Sequence, residues 1–236
     1  MSESNGGGTR STSGLVAALL VAGVVVACLV VALIGSFSGT RGPVSVPSTV
    51  RPSSTSGPSS VCGLPGLDAK SSLVTAPSTS WTLVGLMAAP TDRGGSGPGI
   101  VERDGFRSCY AHTAAGALFA VANYTALDTD PRLAPQIPSK LLAPGSGRDA
   151  QLDAGAPGTG ANYRFQISGF AIRAYTRERA VVDLAATSSD GRLLSLPVEI
   201  VWSGGDWKIV TLPSGVLPYT AATLKNLAGY IPWSGA

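Results

Sequence analysis

The chain has 236 residues, of which 44% are hydrophobic and only 13% charged, with 30 glycines and 17 prolines. Its formal charge is +3, and from residue 61 onward 14 basic side chains face 13 acidic ones. So even a balance leaves little to neutralise a phosphate backbone, and no nucleic-acid partner is expected.

Residues 14–35 read GLVAALLVAGVVVACLVVALIG, without one charged side chain. At about 1.5 Å per residue, this run crosses a hydrocarbon core of about 30 Å. It lacks the polar face of a soluble helix. It is predicted to be a transmembrane helix. The rival readings are a cleaved secretory signal and a lipobox at 25–28 that would lipidate Cys28. The run is longer than a signal's apolar part, and residues 29–34 stay apolar where a lipoprotein becomes polar. Arg10 and Glu3 flank it on one side, Arg41 and Arg51 on the other, so flanking charge barely orients it. Residues 1–13 are too few to fold, which places the folded part beyond the helix. The expected topology is therefore a single-pass cell-membrane protein with a cytoplasmic N-terminus. Ala18/Ala22 and Gly23/Ala27 have the spacing that seats a partner helix, or are ordinary small residues of a span.

Residues 36–60 are rich in Ser, Thr, Pro and Gly and show no apolar periodicity. They cannot bury enough surface to offset their ordering entropy and read as a disordered linker. An extracytoplasmic domain is predicted over 61–236. With Cys28 inside the apolar run, Cys62 and Cys109 remain as a pair. In an extracytoplasmic domain they can close a disulfide; the alternative is two buried thiols.

Along the domain, WTLVGLMAA at 81–89 reads as one short strand ended by Pro90. Residues 91–99 form a glycine-rich loop without the Gly-Lys-Ser/Thr of a phosphate cradle. Thr113 is a credible N-cap for a helix whose Leu118, Val121, Ala122 and Thr125 share a face. Pro131, Pro135, Pro138 and Pro144 forbid a long helix after it, leaving room for a short one at 140–143. Residues 145–160 are a loop, or a poorly packed helix around 149–154. Four strand-like runs follow at 163–176, 179–187, 193–203 and 207–212. Turns at 189–191 and 204–206 carry glycine where positive φ is needed. Pro197 should lie at an edge or bulge. The tail is expected to be polar, with a short helix at 221–227. A helix followed by a curved antiparallel meander gives an α+β fold.

Chemistry is sparse in this sequence. His112 is the only histidine, and the cysteines lack metal-ligand spacing, so no metal or cofactor is expected. No nucleophile elbow is present. Asp183 and Glu199 each alternate with apolar neighbours, which predicts a solvated outer face. Trp202 and Trp207 flank a tight turn. They form either a structural cross-strand pair or, with His112, the ligand-contacting edge of an open cone.

Two motifs carry a resemblance: Ala111-His112-Thr113-Ala114-Ala115-Gly116-Ala117, and Val198 to Lys208 ending in Gly205-Asp206-Trp207-Lys208. In this order, after an anchor and spacer, they resemble actinobacterial single-pass membrane proteins with a nuclear-transport-factor-2-like extracytoplasmic domain. Such domains are similar to those of conjugation and type IV secretion scaffolds. Family members often carry Pro-Glu after His-Thr, where this chain has Ala114-Ala115. The resemblance implies a helix packed on a cone-like sheet. It also implies a non-enzymatic scaffold whose partners are the bilayer, envelope proteins and further copies of the chain. The alternatives are a small-molecule-binding or sensor module, and an isomerase or dehydratase, on the same cone.

Overall fold

The computed structural model describes residues 60–67, 72–155 and 164–235. The chain divides into two units, Met1–Arg51 and Pro52–Ala236, and every described residue belongs to the second. The predicted tail, membrane helix, Cys28 and nearly all of the predicted linker lie outside the described residues. Among the described residues, no helix is long and apolar enough to cross a membrane.

The strand predicted over 81–89 is two strands. β1 (Ser80–Val84) and β2 (Met87–Thr91) form an antiparallel hairpin. Gly85 turns the chain with φ 55°, and a Cβ there would lie 2.4 Å from the Thr129 hydroxyl. The turn is therefore built into the middle of an apolar run, and Pro90 lies within β2 rather than ending it. β3 (Ile100–Val101) and β4 (Arg107–Ser108) pair as a second short hairpin.

Helix α1 (Ala114–Asp128) starts where Thr113 accepts the Gly116 N–H at 3.0 Å. The cap forms without the acidic first-turn residue, because the threonine hydroxyl suffices. The one-faced helix expected from the sequence is in fact buried on nearly all sides, from Ala114 and Gly116 through Leu127. It packs against β2 on one side and against the main sheet on the other, so a polar stripe would have nowhere to go. A 3₁₀ turn (Ala134–Gln136), α2 (Ile137–Lys140) and α3 (Ser146–Asp153) follow. The short helix expected at 140–143 thus lies just upstream, with proline in its first turn, where the missing N–H costs nothing.

The main sheet is built from β5 (Phe165–Tyr175), β6 (Arg179–Ser188), β7 (Leu193–Ser203) and β8 (Asp206–Ile209), all antiparallel. It is curved and does not close. Register shifts in β5 leave Ser168 and Arg173 as extra residues, which bend the strand. The rows Phe170–Leu184–Leu196 and Ile172–Val182–Val198 face α1 and form the core with Phe119, Leu118 and Leu127.

The tail holds no helix at 221–227. β9 (Ala222–Thr223) pairs with the outer edge of β7, and β10 (Ile231–Pro232) pairs with the outer edge of β5. Between them the chain crosses the sheet face opposite α1, where Leu224, Leu227 and Tyr230 pack on Ala171 and Ala185. Trp233 then enters the core, 4.7 Å from the Trp81 ring and 5.7 Å from that of Phe170. Gly169 allows this path, since a Cβ there would meet the Ile231 carbonyl at 2.8 Å. The tail is thus a strap held by pairing and side-chain anchors, with no helical periodicity to stabilise a helix. Pro197 lies opposite Asp183 on β6, and its other side falls between the stretches of β7 paired with β8 and β9. That is the local edge a proline requires.

Candidate functional site

The two motifs far apart in sequence meet in one junction. Asp206, at the start of β8, is 3% exposed. Its carboxylate accepts the backbone N–H groups of Cys109 at 3.0 Å, Tyr110 at 2.9 Å and its own neighbour Trp207 at 2.9 Å. Lys208 approaches the same carboxylate at 3.3 Å and donates to the Lys140 carbonyl at 2.9 Å. Cys109 has φ 64°, a conformation that side chains rarely adopt. The Asp206 clamp over-determines the backbone there.

Cys109 is bonded to Cys62, with Sγ atoms 2.12 Å and Cα atoms 6.3 Å apart. Trp207 is buried and donates from its indole to the Ala111 carbonyl at 3.0 Å. That carbonyl also explains the glycine of the first motif, for a Cβ on Gly116 would lie 2.0 Å from it.

His112, Trp202 and Trp207 come together. The imidazole stacks on Trp202 at 3.8 Å with planes 3° apart, and meets the edge of Trp207 at 5.6 Å. The two indoles are direct cross-strand partners, 5.4 Å apart and T-shaped. His112 is 3% exposed and its Nε2 contacts the Arg177 carbonyl, which accepts from an Nε2–H. The cluster is a packed aromatic stack, and none of the three residues lines either cavity described below.

Asp183 corrects the expected solvated face. It does point away from the core, but the strap covers it and leaves it 4% exposed. Its carboxylate accepts from Ser195 at 2.8 Å, from the Tyr230 hydroxyl at 2.7 Å, and from Arg173 at 2.9 and 3.1 Å. The Arg173 guanidinium also lies over the Tyr230 ring at 4.8 Å. The β5 bulge aims Arg173 there; the sequence signalled neither the bulge nor the strap. Glu199, expected on the same solvated face, is ion-paired with Arg179.

Arg107 is buried beside α1 and donates to Asn123 at 3.1 Å. Burial pulls its guanidinium down from the usual value. The Tyr110 phenol is pushed well above its ordinary range by burial and then by the Asp206 charge.

The cavities among the described residues include two beside the main sheet. One, of about 430 Å³, lies between the start of α3 and the β7–β8 end, with Arg148 and Arg179 on its wall. The other, of about 170 Å³, lies where the last turn of α1 meets β5, β7 and the tail. Its wall includes Tyr124, whose phenol is raised by burial and then by the charge of Asp128.

A family described as a domain of unknown function (DUF8175) matches residues 43–232. The chain belongs to this family. No curated protein and no solved structure matches the chain. The DUF8175 span begins after the apolar run at 14–35. It takes in both halves of the junction, the buried Asp183 and the strap through β10.

Proposed function

We propose that the chain is a membrane-anchored, non-enzymatic scaffold of a cell-envelope assembly, of the kind used in conjugative transfer or type IV secretion. Its folded part is then an extracytoplasmic nuclear-transport-factor-2-like domain. The observation that carries this reading is the Cys62–Cys109 bond and its position. Cys62 is close to the point where the Ser/Pro-rich segment enters the domain, and Cys109 is clamped by Asp206 in the core. A disulfide suits an oxidising compartment. At that position it also fastens an incoming tether to the body of the domain, as an anchored module needs. A helix on a curved, unclosed sheet agrees with the proposed cone. The groups that could support chemistry are engaged in structure: Asp206 on backbone amides, Asp183 on three side chains, His112 in an aromatic stack.

The test is crosslinking in intact cells followed by purification from membranes. The expected result is a defined complex of the chain with an envelope component such as a transfer ATPase, and Cys62 protected from thiol reagents. Recovery of the chain alone in the soluble fraction, with Cys62 reactive, overturns the reading.

A further inference from the structure

Arg107 and Tyr110 hold buried donors without an acceptor. Arg107, on β4, is 7% exposed, and Tyr110 is 1% exposed. The guanidinium donates through Nη1 to Asn123 at 3.1 Å and to Thr91 at 3.4 Å. Its Nε is buried with no hydrogen-bond partner, and among the described residues nothing accepts from Nη2. The Tyr110 hydroxyl is buried without a partner as well. Native interiors leave few polar groups in this state, and each needs a physical reason.

Burying a charge is costly unless an opposite charge compensates it. Among the described residues no carboxylate pairs with Arg107. Its neighbour on α1 is the neutral amide of Asn123, whose Nδ2 already donates to the carbonyls of Pro90 at 3.0 Å and Phe119 at 2.9 Å. Asp92, the acid of the 92–97 turn, accepts the Ser96 N–H at 2.7 Å. Burial lowers the Arg107 pKa first, and Arg93 in that turn, a second cation close enough to act on it, lowers it too. The same turn holds the Tyr110 ring, since a Cβ on Gly97 would lie 2.8 Å from its Cδ1. Burial keeps the phenol protonated, so its O–H is a donor, and the Arg107 charge reaches it. The Asp206 charge reaches it too, but that carboxylate is engaged by three backbone amides and Lys208. Nε and Nη2 together are the side edge of a guanidinium, whose two parallel N–H groups match the two oxygens of a carboxylate.

We propose that Arg107 and Tyr110 form a binding site for a small monocarboxylate beside the 92–97 turn, its oxygens on the Nε–Nη2 edge of Arg107 and on the Tyr110 hydroxyl. One buried cation and one neutral donor suit a single negative charge. The site does not depend on the scaffold reading.

Acetate, acetamide and inorganic phosphate are suitable probes. The first two share a shape and differ in charge, and the third is an oxyanion of another geometry. Each is titrated calorimetrically into the full chain, purified in a mild detergent and a buffer free of carboxylates and phosphate. Acetate is expected to bind saturably and about tenfold more tightly than acetamide or phosphate. Tyr110→Phe removes a hydroxyl that bonds nothing in the protein, so it should fold and melt at or above the parent's temperature. It is expected to weaken acetate about tenfold. Arg107→Lys keeps the charge, loses the fork, and should weaken acetate at least as much. Absence of saturable acetate binding, the result that buried water on the two donors would give, overturns the proposal. So does acetamide or phosphate binding as tightly as acetate, or an acetate affinity unchanged by Tyr110→Phe.

Discussion

The indole N–H of Trp207 donates to the carbonyl of Ala111 across 3.0 Å, linking residues 96 positions apart in the chain. It joins the strand that follows the Gly-Asp turn to the segment that launches α1. Trp207→Phe keeps most of the buried ring and removes this bond. We expect a loss of about 2–3 kcal/mol in stability, measured by chemical denaturation. A variant as stable as the parent would show that the bond is dispensable.

Gly116→Ala runs against helix propensity. In an exposed helix interior the change would stabilise by about 1 kcal/mol. Here the new Cβ would lie 2.0 Å from the Ala111 oxygen. Overpacking of this kind gives an expected net loss of about 1–3 kcal/mol. A rise in melting temperature would contradict so close an approach of the two segments.

Tyr230→Phe unpins the strap. The phenol's bond to the Asp183 carboxylate is lost and the ring stays over Arg173. A hydrogen bond to a charged group contributes about 1.5–3 kcal/mol. Amide exchange over 222–235 should accelerate more than exchange in α1. Equal acceleration in both would mean that the bond supports the whole domain rather than the strap.

The Cys62–Cys109 bond closes a loop with a sequence separation of 47. In the chain-entropy model a loop of that size gives about 4 kcal/mol at 25 °C. The double variant Cys62→Ser, Cys109→Ser is expected to melt well below the parent, and the parent's midpoint should fall under reductant. The chain has three cysteines. Thiol titration of the denatured, unreduced parent should therefore find one free thiol, and a count of three would sink the pairing.

Acid should weaken the domain. Arg132 beside Asp130 holds that carboxyl below its ordinary value of 3.8. Asp104 is held low by the Phe106 N–H and then by Gln136, and Asp190 by Ser188 and then by the Arg192 N–H. A carboxyl whose folded value is depressed adds stability that is complete above the unfolded value and lost as pH falls through the folded one. The melting temperature should be flat from neutral pH down to about 5 and then drop below about 4. Asp130→Asn should shallow that drop, and an unchanged slope would remove Asp130 from the account.

Strands β5 to β8 were legible in the sequence because their apolar runs are set apart by short turns, two of which, at 189–191 and 204–206, carry glycine with positive φ. The predicted 193–203 coincides with β7. The first hairpin was not, because Gly85 and Leu86 turn the chain inside continuous apolar sequence. Helix α1 was placed by its cap, but its all-round burial depends on a hairpin that the sequence had hidden. Asp183 shows the deeper limit. Alternation told which way it points, but what covers it is Tyr230, 47 residues further on. The aromatic pair Trp202–Trp207 was legible from the tight turn alone. Asp206 lay in a recognised motif, yet its role on Cys109 and Tyr110 needed the fold to bring them near.

The strap has a consequence for solubility. An exposed strand edge is a template on which another chain can add by backbone pairing. β9 occupies part of the outer edge of β7 and β10 part of the outer edge of β5, and β10 ends in Pro232, which has no N–H to offer. The last fifteen or so residues thus act as a built-in guard against polymerisation. A chain shortened before residue 222 would expose those edges and also lose Trp233 from the core, and it should self-associate.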